Sequence, residues 1–173
     1  MCFRDGDTNC VSKWLPQLAK TTDGDLAYRI ATLLSTDKGN PQRARSVFEW
    51  TQRAATNGSL DAVVALGDMY MSGTGTEADP AKSYLNFYRA ANRGSPRGMY
   101  QLGVASCQGA VVPPNESHGF KWLRKASTEG YVAADRYMSA YKEGKEARLR
   151  AERENMEAYE RELVRHGKEV ERI

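Results

Sequence analysis

A chain that meets itself when slid by 36 positions has few ways to fold, and this one does so throughout its middle. Phe48, Tyr84 and Phe120 fall into register, as do Ala54, Ala90 and Ala126, Gly58, Gly94 and Gly130, and Ile30, Leu66 and Leu102. Leu66-Gly67 returns as Leu102-Gly103, and Gly73 as Gly109. Trp14, Trp50 and Trp122 share one phase, with Asn86 standing where a fourth Trp would fall. A period of about 20–50 residues marks stacked units, because one unit cannot bury both its faces and needs neighbours to do so.

Each unit reads as two antiparallel helices. From Asp61 to Ser72, the residues Ala62, Leu66, Met69 and Tyr70 recur at helical spacing, and Gly73-Thr-Gly75 ends the run because glycine takes positive φ without a Cβ clash. Asp79 is a good N-cap, and Pro80 suits the first helical position, where its missing N–H costs nothing. Tyr84, Phe87, Ala90 and Ala91 then form an apolar stripe that Arg93-Gly94 closes. The small residues Gly67, Gly103, Ala90 and Ala126 predict close approach of helix backbones. Helices are expected over residues 11–20, 25–36, 41–56, 60–72, 79–93, 96–108, 115–129 and 131–142, with a last one over 145–166.

The run Ala62, Leu66-Gly67, Tyr70, Gly73-Thr-Gly75, Asp79, Lys82, Ala90-Ala91 and Gly94 resembles the Sel-one-like repeat, a relative of the tetratricopeptide repeat. A later copy matches through Leu102-Gly103, Gly109, Trp122, Lys125-Ala126 and Gly130; an earlier one keeps Trp50, Ala54-Ala55 and Gly58 but has Ala31 where the family shows glycine. The resemblance covers roughly residues 25–143 and implies a protein-binding superhelix, a family almost never catalytic; no cofactor is expected, and the lack of a Cys-x-x-Cys pair argues against a structural zinc site. The expected fold is all-α, a right-handed α-solenoid of antiparallel helix pairs with a charged C-terminal capping helix. Its divisions are an N-terminal segment over 1–24, repeats over 25–59, 60–94, 95–130 and a partial copy over 131–143, and the charged helix over 144–173.

That last segment carries Glu146 before Arg150, Arg150 before Glu154 and Glu157 before Arg161 at pairing distance on a helix. Leu149, Met156, Leu163 and Val170 recur every seven residues, with Tyr159 and Ile173 beside them. Glu152 and His166 occupy the other seam positions, which favours a cap laid on the last repeat over a coiled-coil homodimer.

Net charge is +3, and the excess is spread through the repeats with both signs interleaved, so no stripe of one sign marks a nucleic-acid footprint. No stretch approaches the roughly 20 apolar residues a membrane span requires. Cys2 and Cys10 are close enough in sequence to close a small disulfide loop in an oxidising compartment, leaving Cys107 unpaired. Trp14, Leu18 and Ala19 hold the phases of Trp50, Ala54 and Ala55, so residues 11–20 read as the second helix of a unit whose first helix is missing. Met1 directly before Cys2 is what remains when a start codon replaces a cleaved leader. On that reading the protein is periplasmic with a lipid anchor at Cys2; a short native N-terminus in a cytoplasmic protein is the alternative.

Catalysis needs convergent groups, and few are offered. Cys107 and His118 lie either side of a proline-containing loop with no third group to orient them, and Gly73-Thr-Gly75 lacks the lysine and strand of a phosphate loop. Asn57-Gly-Ser59 and Asn115-Glu-Ser117 match the glycosylation acceptor pattern at repeat turns. Binding is better supported. If the family geometry holds, the first helix of each unit lines an inner groove, presenting Asp25, Tyr28 and Thr32, then Asp61, Val64, Asp68 and Met71, then Arg97, Tyr100 and Val104. Tyrosine and arginine are frequent interface anchors; packing of Tyr28 and Tyr100 against the adjacent helix is the competing reading. Small Sel-one-like proteins of the periplasm include antagonists of secreted phospholipase toxins, and the resemblance implies such an immunity role, tied to type VI secretion, as one function; a structural scaffold dimerising through its C-terminal helix is the other.

Overall fold

The computed structural model describes residues 23–35, 41–109 and 111–170. Trp14, the helix expected over 11–20 and the Cys2/Cys10 loop lie outside the described residues. Seven helices are described: α1 (Gly24–Leu34), α2 (Pro41–Thr56), α3 (Leu60–Ser72), α4 (Pro80–Asn92), α5 (Pro96–Gln108), α6 (Glu116–Thr128) and α7 (Val132–Val170). They fall into two units, one ending at Tyr131 and the other beginning at Val132.

In the first unit, consecutive helices pack in antiparallel pairs, α1 with α2, α3 with α4 and α5 with α6, and each pair packs on the next. The turns that link pairs are copies of one another. Ser59, Ser95 and Tyr131 each donate their N–H to the carbonyl of Ala54, Ala90 and Ala126 at 3.0 Å. The glycine just before each, Gly58, Gly94 and Gly130, takes positive φ, which is why this phase is glycine. Within the pairs, Asp79 N–H donates to Tyr70 O at 2.8 Å and Asn115 N–H to Ser106 O at 2.9 Å. The same two residues cap the second helices: Asp79 accepts from Lys82 N and Asn115 from His118 N, both at 2.9 Å.

The core is built from side chains that the period places between helices, among them Ala62, Leu66, Phe87, Met99, Leu102 and Leu123, all buried. Close approach occurs where expected. A Cβ added to Gly67 would stand 2.3 Å from the Phe87 ring, and one added to Gly103 would stand 2.9 Å from the Gly119 carbonyl oxygen. Val64 departs from expectation. Expected on the open groove, it is fully buried and belongs to the core, because a short branched side chain at this phase lies beneath its neighbours.

In the second unit, α7 runs for 39 residues without a break. The two helices expected over 131–142 and 145–166 are one. Gly144 interrupts nothing, since a lone glycine costs a helix only about 1 kcal/mol against alanine and good helix formers flank it. Arg148 pairs with Glu152 along α7 at 3.0 Å; among the described residues the expected Glu146/Arg150, Arg150/Glu154 and Glu157/Arg161 pairs do not form. Leu149, Met156 and Tyr159 are exposed along it.

Candidate protein-binding face

The first helices of the three pairs meet around Arg97. Its guanidinium Nη2 donates to Asp68 Oδ2 on α3, while Gln101 Nε2, one turn further along α5, donates to Asp68 Oδ1 at 2.8 Å. The hydroxyls of Tyr28 on α1 and of Tyr131 lie close enough to interact with the same guanidinium. Tyr131 also packs on Tyr100, ring centres 5.2 Å apart. One arginine thus ties residues from all three pairs into a half-buried polar and aromatic cluster.

Burial acts on both charges of this pair, with different outcomes. For Asp68 the loss of water outweighs the pull of Arg97 and the two hydrogen bonds, so its carboxyl sits above the ordinary value. Arg97 also loses water, but the Asp68 carboxylate and Tyr28 more than compensate and hold its charge firmly. Burial, then the nearby Tyr131 hydroxyl, raise the Tyr100 phenol. The other expected groove residues divide by exposure: Asp25, Thr32, Asp61 and Met71 are exposed, Val104 is half-buried, and Val64 is excluded as core. Gln101 was not anticipated, although it lies one helical turn from Arg97 and on the same face.

Cys107 and His118 do not form a reactive pair. Trp122 Nε1–H donates to His118 Nε2 at 3.1 Å; since the indole can only donate, neutral His118 carries its proton on Nδ1, facing Ser106 Oγ at 3.2 Å. Ser106 in turn donates to Leu102 O at 2.8 Å. Both imidazole nitrogens are therefore engaged, Nδ1 in the contact that joins α6 to α5 and Nε2 with Trp122 on α6 itself. Cys107 is buried, and burial, with Glu116 nearby, pushes its thiol up, away from the reactive thiolate. Among the described residues no group of His, Cys, Asp and Glu side chains is arranged to hold a metal ion.

Comparison with known proteins agrees with this architecture. The chain is 30% identical over 119 residues to the chitin synthase regulator SKT5 of Saccharomyces cerevisiae, a match taking in 66% of this chain and 17% of that protein. Protein SHC1 of the same yeast is 27% identical over 143 residues, 75% of this chain and 28% of its own length. This chain therefore spans less than a third of these relatives. The crystal structure of a Sel1 repeat protein from Oxalobacter formigenes superposes with a TM-score of 0.62 at 27% identity, covering 70% of this chain and 50% of that one. Sel1 repeat proteins act by binding other proteins. The Sel1 repeat matches residues 26–59, 60–95 and 96–131, and with three consecutive copies over most of its length the chain belongs to the Sel1 repeat family.

Proposed function

We propose that the chain is a non-catalytic protein-binding module that holds one protein partner on the face formed by α1, α3 and α5. The observation that carries this reading is the Arg97 cluster. A partner meets Tyr28, Asp68 and Arg97 oriented by one another and Tyr100 held against Tyr131, so little side-chain freedom is lost on binding, and tyrosine and arginine are the types that anchor interfaces. Asp25, Thr32, Asp61 and Met71 supply an exposed surround. Capture of the partner by tagged protein tests this, with Asp68→Arg and Tyr100→Ala as variants. Loss of capture by both is expected, and undiminished capture by both refutes the face.

The specific partner we propose is a secreted phospholipase toxin, neutralised in the periplasm. Three consecutive Sel1 repeats and two closely spaced cysteines, Cys2 and Cys10, support it. Co-expression with such a toxin should restore growth, and continued lysis at saturating expression would refute it. Periplasmic location and a lipid on Cys2 go with this reading and are tested by fractionation and intact mass. A second reading rests on the exposed Leu149, Met156 and Tyr159 of α7: a scaffold that homodimerises through this helix. Light scattering of the full chain decides, since a monomer at high concentration removes it.

A further inference from the structure

Trp50, Asn86 and Trp122 hold one phase of the repeat, on α2, α4 and α6 respectively. In two of the three pairs the indole is covered by the cation three residues on: the Arg53 guanidinium lies 5.5 Å from the Trp50 ring centre, and the Lys125 ammonium 5.3 Å from that of Trp122. The corresponding cation after Asn86 is Arg89. Among the described residues no ring lies beneath it; Asn86 stands where the neighbouring pairs have tryptophan, and its amide donates to Lys82 O of its own helix at 2.8 Å.

Beside Asn86 there is a cavity of about 500 Å³ between α2, α3 and α4, within the range of about 300–1,000 Å³ usual for ligand sites. Val63 and Leu66, each 6% exposed, give it an apolar floor. Tyr70 lines one side with the Lys82 ammonium 5.5 Å from its ring centre. The rim carries Lys82, Arg89 and Arg93, and no lining residue is acidic. Asp79 pairs with Lys82 at 3.0 Å and Arg93 donates to Gly58 O at 3.0 Å. Among the described residues no carboxylate pairs with Arg89.

We propose that this cavity takes an indole-sized aromatic side chain from an acidic segment of a partner protein. The ring replaces the tryptophan the repeat lacks here, resting on Val63 and Leu66 with its face toward Arg89, and flanking carboxylates meet Arg89 and Arg93. Two observations select this occupant: the neighbouring pairs use the same cation position to cover a tryptophan, and of the rim cations Lys82, Arg89 and Arg93 only Lys82 is offset by a carboxylate, Asp79, among the described residues. The surface is distinct from the Arg97 face and stands or falls independently of it.

The test is titration of the full chain with a capped peptide, Asp-Glu-Trp-Glu-Asp, followed by backbone amide chemical shifts. The controls are the same peptide with alanine replacing tryptophan and a Lys-Lys-Trp-Lys-Lys peptide. Saturable shifts at Val63, Leu66 and Asn86 are expected for the acidic tryptophan peptide, with both controls and the Arg89→Ala variant about tenfold weaker. Asn86→Trp supplies the ring from within and should abolish the shifts. Leu85→Glu, at an exposed wall position, should weaken binding and serves where Asn86→Trp does not fold. Equal binding of the alanine or the basic peptide, unchanged binding by Arg89→Ala or Leu85→Glu, shifts confined to the Arg97 face, or no saturable shift at millimolar peptide would each overturn the proposal.

Discussion

Gly103→Ala probes whether the helix pairs are held at a separation that only glycine permits. The added Cβ would stand 2.7 Å from Leu123 Cγ and 2.9 Å from the Gly119 carbonyl oxygen. Leu123 is fully buried, and a backbone oxygen cannot rotate away, so α5 and α6 must separate by a few tenths of an ångström. Overpacking of this kind costs about 1–3 kcal/mol, here toward the upper end, while alanine regains about 1 kcal/mol of helix propensity. The net loss is about 1–2 kcal/mol, and at roughly 2–4 °C per kcal/mol for a chain of this size the Tm should fall by about 2–8 °C in a circular dichroism melt. Gly144→Ala is the matched control, because a Cβ there meets nothing within 4 Å; it should leave the melt unchanged or raise it. Gly67→Ala belongs between them, since its clash is with the Phe87 ring, and Phe87→Leu should recover part of its loss. A Gly103→Ala variant that melts at or above the parent would refute the close-approach argument.

Ser83 is fully buried and its hydroxyl has no hydrogen-bond partner, so Ser83→Ala should raise stability by about 1 kcal/mol, and a lower Tm would show that the hydroxyl is satisfied. Asp68 has a folded-state pKa above its unfolded value, so its contribution favours the fold in acid and is lost as pH rises through and above the ordinary aspartate range. The Tm of Asp68→Asn relative to the parent should therefore be higher at pH 7 than at pH 3; the reverse order would mean that the Arg97 ion pair outweighs burial. Cys107, buried and with a raised pKa, should resist iodoacetamide at neutral pH until denaturant is added, and rapid labelling of the folded chain at this residue would contradict its placement.

What can be read from such a sequence is what the period repeats. Positive-φ glycines, the Asp79 and Asn115 caps and the returning turn bonds are set by backbone geometry within one pair, so each recurs 36 residues on and is visible as a pattern. Partners are different. A phase fixes where a residue stands on its helix, but not how far its side chain reaches or what the next pair sets opposite. Tyr28, Val64 and Tyr100 share one phase, yet valine stops in the core while the longer tyrosines reach the surface. Asp68 finds Arg97 and Gln101 in the next pair, at separations that no periodicity announces. Gly144 shows the opposite error, in which one local signal outweighs the run of helix formers on either side. Asn86 is the most instructive case, because the missing tryptophan is plain in the sequence while its consequence is not: neighbouring side chains could have closed over the space, and instead they leave it open beneath Arg89. In a repeat chain the fold is carried by positions that obey the period, and both surfaces proposed here for recognition lie at positions that break it, Asp68 with Arg97 on α3 and α5 and Asn86 on α4.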